Sequence, residues 1–255
     1  QNLILLDGIT VYNPSHLGGV FSNFIVDAVK DAELIKGGYN AEYGGRLSAV
    51  LNVTSREGNR KKFDGSANVS LLSAQTTLEG PFYKGAWLLA GRRTYIDKTL
   101  ELANDLNLTD AKVPYYFYDI QGHIFSDLSN TDRLSLSFYG GLDDFNFDDL
   151  GFRANWGNQT FSLAYRKLFS DLLIGNFLLA ASQFKTLFGL GGESGLVNDN
   201  NINDQTFAAN FTFFQKKDLV WKFGFQGKRL GFIYSSSFGD TTLYDVNRSP
   251  YDMAA

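Results

Sequence analysis

The texture of the chain changes abruptly near Gly58, and that change limits the folds open to it. Residues 1–58 mix short apolar runs with glycine turns: Leu3-Ile4-Leu5-Leu6 ahead of Asp7-Gly8, then Asp27-Ala28-Val29, Lys36-Gly37-Gly38 and Tyr43-Gly44-Gly45. From Phe63 onward, run after run places an apolar residue, often aromatic, at every second position. A period of two marks a strand whose two faces meet different surroundings. The clearest run is the last, where Trp221, Phe223, Phe225 and Gly227 alternate with Lys222, Gly224, Gln226 and Lys228. In a sandwich the ring-bearing face packs on a second sheet. In a membrane barrel it meets lipid, while the charged face lines a wet lumen.

Connection lengths separate these two folds. Turn signals at 81–85, 129–132, 170–171 and 216–218 are short, and the connections between them are long. Every second connection is therefore short, as in a barrel whose two rims face different compartments. The expected fold is mainly β, with about nine strands of a larger antiparallel transmembrane barrel. Those strands occupy residues 59–255, and part of a small α/β plug occupies residues 1–58.

Composition agrees with that fold. The chain has 23 Phe and 13 Tyr but only 4 Pro among 255 residues, which suits uninterrupted ladders. No stretch reaches the ~20 apolar residues of a membrane helix. A mean hydropathy of -0.16 would ordinarily indicate a soluble protein. A barrel escapes that inference because only alternate residues meet lipid. With no cysteine, disulfide scaffolds and thiolate metal sites are excluded. A net charge of -4 and the lack of a basic aromatic stripe give no reason to expect nucleic acid. The chain opens on Gln1-Asn2-Leu3-Ile4-Leu5, which reads as the inside of a strand with no leader ahead of it. The expectation is a piece of a longer exported protein.

In the first part, strands are expected at 3–6, 9–12, 33–36 and 47–55, with a short helix capped by Ser22 or Asn23 and running to about Ala32. Residues 56–62 read as a linker. In the second part the expected strands are 63–71 and 76–80 (two short strands or one bent one), 86–96, 115–128, 133–141, 160–169, 172–186, 205–215 and 219–234, with a helical turn or two within 98–106. The acidic stretch 143–149 and the polar stretch 189–204 read as solvated outer loops rather than calcium sites, since no EF-hand pattern is present.

Two segments carry a family likeness. Leu5-Leu6-Asp7-Gly8-Ile9-Thr10-Val11-Tyr12-Asn13 resembles the "DG" segment in the plug of TonB-dependent outer-membrane receptors. The run from Ala32 through Lys36-Gly37-Gly38 and Tyr43-Gly44-Gly45, followed by Ala49-Val50-Leu51-Asn52-Val53-Thr54-Ser55, resembles the plug signature of the same family. Gly38 stands where a proline is commoner, and Ser48 lies near an expected glycine. Leu78-Glu79-Gly80-Pro81 and Gly91-Arg92-Arg93-Thr94-Tyr95 look like the first barrel strands of Bacteroidota members. The resemblance implies a plug inside a barrel of about 22 strands, of which this chain covers the C-terminal half of the plug and the first barrel strands.

The resemblance also assigns residues. Asp7, Gly8, Gly37, Gly38, Tyr43 and Gly44 fall at structural turns of the plug, and the glycines serve backbone geometry rather than a phosphate cradle. The segment from Tyr12 to Asn23 matches the outward apex of the plug, so Asn13, Ser15, His16 and Phe21 are ligand-facing candidates; the alternative is an exposed loop shaped by Pro14. Arg46 and Glu79 are candidates for a plug–wall ion pair. His16 and His123 lack a ligand-spaced partner, so no metal site is expected, and His123 is expected to face lumen or rim water.

The function the resemblance implies is uptake of a bulky nutrient (siderophore, cobalamin, glycan or peptide) across the outer membrane of a Gram-negative bacterium. The implied partners are TonB with its inner-membrane energising complex, the extracellular ligand and an accessory surface lipoprotein. No cofactor is implied, and no nucleophile–base–orienter set marks an enzyme. The rival reading is a soluble or surface β-rich ligand-binding protein or adhesin.

Overall fold

The computed structural model describes residues 2–37, 41–44, 48–110, 113–147, 149, 151–216, 218–248 and 251–254. Its N-terminal body is a four-stranded sheet built from β1 (Leu3–Leu6), β2 (Ile9–Thr10), β5 (Val29–Ile35) and β6 (Val50–Ser55), in the order β2-β1-β6-β5. β1 and β6 run parallel, and the outer pairs are antiparallel. A separate small hairpin, β3 (Ser15–His16) and β4 (Phe21–Ser22), leaves this sheet at its β2 end. Asp7 and Gly8 join β1 to β2 with φ of 50° and 83°, the left-handed geometry that a two-residue hairpin favours. The Asp7 carboxylate then accepts the Ser55 N–H (2.8 Å) and hydroxyl (2.6 Å), tying this turn to the end of β6.

The expected helix from Ser22 to Ala32 does not form. A single 3-10 turn, Val26–Ala28, is followed directly by β5. The β-branched Val26 and Val29 disfavour a helix, and the free edge of β6 offers a ladder running from Val29↔Ser55 to Ile35↔Val50. Long-range pairing outweighs a weak local helical stripe here.

The rest of the chain is an antiparallel meander, the wall. Its strands are β7 (Asp64–Val69), β8 (Ser73–Phe82), β9 (Gly85–Thr94), β10 (Tyr115–Asp127), β11 (Asp132–Phe147), β12 (Phe152–Ser170), β13 (Leu173–Leu190), β14 (Leu196–Lys216), β15 (Leu219–Phe238) and β16 (Thr241–Arg248). Each pairs with its sequence neighbours, and β17 (Tyr251–Ala254) also pairs with β15, making an open sheet of 11 strands among the described residues. A helix, α1 (Ile96–Asp105), sits in the connection between β9 and β10.

Strands lengthen along the wall, from 6 residues in β7 to 21 in β14. Two expected loops are therefore strand. Asp143 to Phe147 continue β11, and Leu196 to Asp204 open β14, leaving only residues 191–195 as the connection. A ladder is held by backbone hydrogen bonds, which polar side chains leave intact. The rims differ less in connection length than expected, because chain read as loop continues the strands instead. One rim carries the tight turns at 83–84, 128–131 and 171–172 and the short connection from β14 to β15.

The two faces of the wall are unlike, as the alternation requires. On the outer face Trp221, Phe223 and Phe225 are 55%, 57% and 42% exposed, with Phe207 and Leu179 beside them. No second sheet covers these rings among the described residues, which contradicts the sandwich. On the inner face Ser137, Asn158, Thr160, Ser162, Ser182 and Thr206 are buried. The apolar core lies largely in the N-terminal body, where Leu6, Val11, Phe24 and Val53 pack with Tyr139 of the wall. A smaller cluster joins Ile25 and Ala28 to Leu88 and Ala90 of β9.

The start of β9 shows how closely the wall strands approach. A Cβ added at Gly85 would lie 1.9 Å from the Phe125 carbonyl oxygen. Gly85→Ala is expected to destabilise the protein by roughly 1–3 kcal/mol, as overpacking does. Equilibrium urea unfolding checks this, and an unchanged midpoint contradicts the packing described here.

Candidate functional site

The surface that carries the structure's chemistry is the contact between the N-terminal body and the inner face of the wall. Every strand from β8 to β15 supplies at least one polar side chain to it: Glu79, Arg92, Asp119, Asp143, Asn158, Ser182, Asp204 and Lys228 in order. Polar side chains at alternate positions point inward because the apolar half of each strand is turned out.

The densest part surrounds His16, on the first strand of the small hairpin. Its Nδ1 lies 2.6 Å from Asp143 Oδ2, and its Nε2 lies 2.9 Å from Asp119 Oδ1. Both carboxylates have further donors. Tyr139 donates to Asp119 Oδ1 (2.7 Å), and Arg92 donates through Nε and Nη2 to Asp119 Oδ2 (2.9 and 2.5 Å). Tyr115 donates to Asp143 Oδ1 (2.5 Å), as does the Leu17 N–H (3.4 Å). Arg92 also donates to the Ser22 carbonyl on the second hairpin strand. The imidazole stacks on Phe117 with centroids 3.9 Å apart, and the Arg92 guanidinium lies over the same ring. The His16, Asp119 and Asp143 side chains are 1%, 0% and 3% exposed.

His16, a ligand-facing candidate in the sequence, is here buried against the wall and not exposed. It is an anchor buried in the wall, because two carboxylates far away in sequence converge on its ring. Asn13 also turns to the wall: its carbonyl accepts Asn158 Nδ2 (2.7 Å), while its side chain accepts the Ser15 N–H (3.3 Å). Ser15 is half-buried in that local turn, and Phe21 is half-buried against Phe117. The exposed part of the hairpin is its tip, residues 17–20, which sequence reasoning did not single out.

A middle zone links β2 and the segment after it to the wall. Ser182 donates to the Thr10 carbonyl (2.7 Å), Lys228 to Thr10 Oγ1 (3.1 Å), and the Tyr12 hydroxyl to Asp204 (3.0 Å). The basal zone holds the Asp7–Gly8 turn and the linker. Gln121 donates to Ser55 Oγ (2.9 Å), and Arg133 donates to Glu57 (2.9 Å). Glu79 receives both its hydrogen bonds from Arg56 Nη2 (2.9 and 3.0 Å). Arg46, the expected partner of Glu79, and Gly38 lie outside the described residues. Gly37 has φ of 79°, and Tyr43 and Gly44 lie in the described turn 41–44.

His123, expected to face lumen or rim water, lies on the inner face and lines the space between the body and the wall. Its side chain is 12% exposed, with Nδ1 2.8 Å from Ser137 Oγ and 3.9 Å from the Asp7 carboxylate. Between the body and the wall lies a cavity of about 720 Å³, lined among others by Asp7, Tyr12, His123, Asn176 and Lys228. The body is therefore held largely by discrete polar contacts around a cavity of mixed lining, to which Leu3, Leu5 and Leu178 also contribute.

Neither a family model nor a curated protein matches this sequence. Solved structures do match its fold. The siderophore receptor PiuA from Acinetobacter baumannii is similar over 98% of this chain and 45% of that chain, with a TM-score of 0.63 and 15% identity. P. aeruginosa FpvA, bound to a heterologous pyoverdine, is similar over 99% of this chain and 42% of that one, with a TM-score of 0.68 and 13% identity. The ferric-catecholate import receptor Fiu from E. coli K12 is similar over 99% of this chain and 54% of that one, with a TM-score of 0.61 and 14% identity. The chain thus spans about half the length of these receptors. Its fold is that of TonB-dependent receptors: a plug against part of an antiparallel barrel wall.

The contacts differ in expected weight. Removing one member of a buried, hydrogen-bonded charge cluster costs about 3–5 kcal/mol, whereas an exposed pair is worth at most ~1 kcal/mol. Asp119→Ala, which strands Arg92 and His16, is expected to loosen the plug by that larger amount. A double-mutant cycle on Arg56, whose side chain is 39% exposed, and Glu79 is expected to give a coupling at the smaller value. Pulse proteolysis of the plug measures both, and equal effects contradict this ranking.

Proposed function

We propose that the chain is part of an outer-membrane receptor that captures a bulky nutrient outside the cell and admits it when TonB remodels the plug. In this reading residues 1–58 belong to the plug and residues 59–255 to the barrel wall. The nutrient is a siderophore, cobalamin, glycan or peptide. The partners are TonB, its inner-membrane energising complex and an accessory surface lipoprotein.

The observation that carries this reading is the abrupt edge of the apolar band on the outer face. Phe161, Leu163, Leu179 and Phe207 lie within the band. Beyond them, with Ala181 and Gln205 between on β13 and β14, Gln159, Gln183 and Asn203 stand side by side in register, and Gln183 donates to Asn203 (2.8 Å). A lipid-facing surface ends this way, with side-chain amides beginning where hydrocarbon stops. About 10 residues of a tilted strand cross the hydrocarbon. The 21 residues of β14 therefore overrun it by about 36 Å along the strand at ~3.3 Å per residue. The overrun lies on the rim opposite the tight turns, so those turns face the periplasm and the long strands rise outside. A soluble β-rich binding protein gives no reason for so many uncovered rings.

The polar plug contacts supply the second requirement. A plug bonded to its wall through hydrogen bonds worth about 1 kcal/mol each can be rearranged by a pull without breaking a continuous core. Uptake by the complete receptor is expected to stop when a protonophore collapses the inner-membrane gradient, while surface binding persists. Uptake that survives the protonophore contradicts the proposal.

The band makes its own prediction. Leu179→Arg, inside it, is expected to cost about 2–4 kcal/mol in a bilayer, and Asn203→Arg, beyond it, about 0–1 kcal/mol. Reversible unfolding from liposomes measures both, and similar costs contradict the proposed membrane boundary.

A further inference from the structure

We propose that a proton latches the apex hairpin of the plug: His16 sits in the wall as an imidazolium, and leaving the wall releases that proton at neutral to alkaline pH. The inference needs only the plug-against-wall arrangement. It can fail while the uptake proposal stands, and the reverse.

The hydrogen-bond geometry demands two N–H groups on the ring. Both nitrogens face carboxylate oxygens, at 2.6 and 2.9 Å. Both carboxylates already accept hydroxyl donors, from Tyr115 and Tyr139, and Asp119 accepts Arg92 as well. Asp119 accepts on both oxygens, and Asp143 Oδ1 accepts from Tyr115. Between Asp143 Oδ2 and Nδ1 the proton belongs to the ring, because an imidazole is more basic than a carboxylate. A neutral imidazole has one N–H and one lone pair, so one carboxylate would face a lone pair at hydrogen-bond distance.

The charges lead to the same conclusion. The titratable groups facing the ring are Arg92 on β9, Tyr115 and Asp119 on β10, and Tyr139 and Asp143 on β11. With His16 protonated, two cations balance two carboxylates. Without the proton a net negative charge stays in a site whose side chains are at most 12% exposed. Burial by itself pulls the imidazole pKa down, but the hydrogen bonds and charges of Asp119 and Asp143 outweigh it, and the net shift is upward.

The sign of the coupling follows. Freed into water, the ring titrates near its ordinary value of about 6.5. The latch is at full strength below that pH and weakens as pH rises through the docked value. Between the two values the ratio of unlatched to latched hairpin rises about tenfold per pH unit. Mild acid holds the apex down, and alkali frees it.

The test places a spin label on the exposed hairpin tip of the complete receptor in liposomes, through a single Val20→Cys change, and follows label mobility from about pH 5 to about pH 9.5. The expected result is a ratio of mobile to immobile label that climbs about tenfold per pH unit above pH ~6.5 and levels off once the docked value is passed. His16→Gln is expected to leave a mobile hairpin with no pH step. His123→Gln is expected to keep the step, which excludes the other histidine. A flat curve in the parent protein, or a step that survives in H16Q, overturns the proposal. If H16Q does not insert, histidine ¹⁵N NMR of the unmutated receptor decides. Two protonated His16 nitrogens at about pH 7.5 support the latch, and a neutral tautomer overturns it.

Discussion

The structure depends on one constraint: each wall strand must satisfy two unlike surroundings at once. Backbone pairing along the meander accounts for the main-chain groups, so the side chains alone decide which face is inside. The ring-bearing positions, such as Trp221 and Phe223, are left uncovered, and Asn158 and Ser182 are buried against the plug. Slipping one strand by one residue would exchange the two sets, so the register is strongly specified wherever the plug touches.

From this constraint follows the character of the plug contact. The inner wall offers mostly hydroxyls, amides and charges, so the plug binds it largely in kind. Its own apolar core is small, and the wall contributes little to it beyond Tyr139, Leu88 and Ala90. Strength is instead concentrated at the hairpin, where Asp119 alone joins His16, Arg92 and Tyr139. A contact of this kind is specific in position yet separable in steps, since each zone is a distinct set of bonds. A wall lined with leucine would hold a plug more diffusely, and hydrophobic packing gives no titrating group by which release could be tuned.

Much of this was legible in the residues. The Asp7–Gly8 turn, the alternation in β15 and the tight turns of one rim follow from local chemistry. What escaped is instructive. Stretches 143–149 and 189–204 read as loops because polarity was equated with irregularity, yet the period of two that places Ser135, Ser137 and Tyr139 inward continues to Asp143. Extending that parity would have put Asp143 on the inner face. The failed helix at 22–32 came from trusting an apolar stripe over β-branched residues beside an available edge. The partners of His16 lie 103 and 127 residues away, and only the assembled wall brings them to the ring.

The central claim is that the two faces of the wall meet hydrocarbon and plug. It is tested most directly by scanning spin labels along residues 219–238 of the complete protein in a bilayer, comparing collision with oxygen and with a water-soluble relaxant. The account predicts oxygen accessibility that peaks at 221, 223 and 225, with low values between them where the wall faces inward. Accessibility without a period of two, or peaks at the intervening positions, would contradict it.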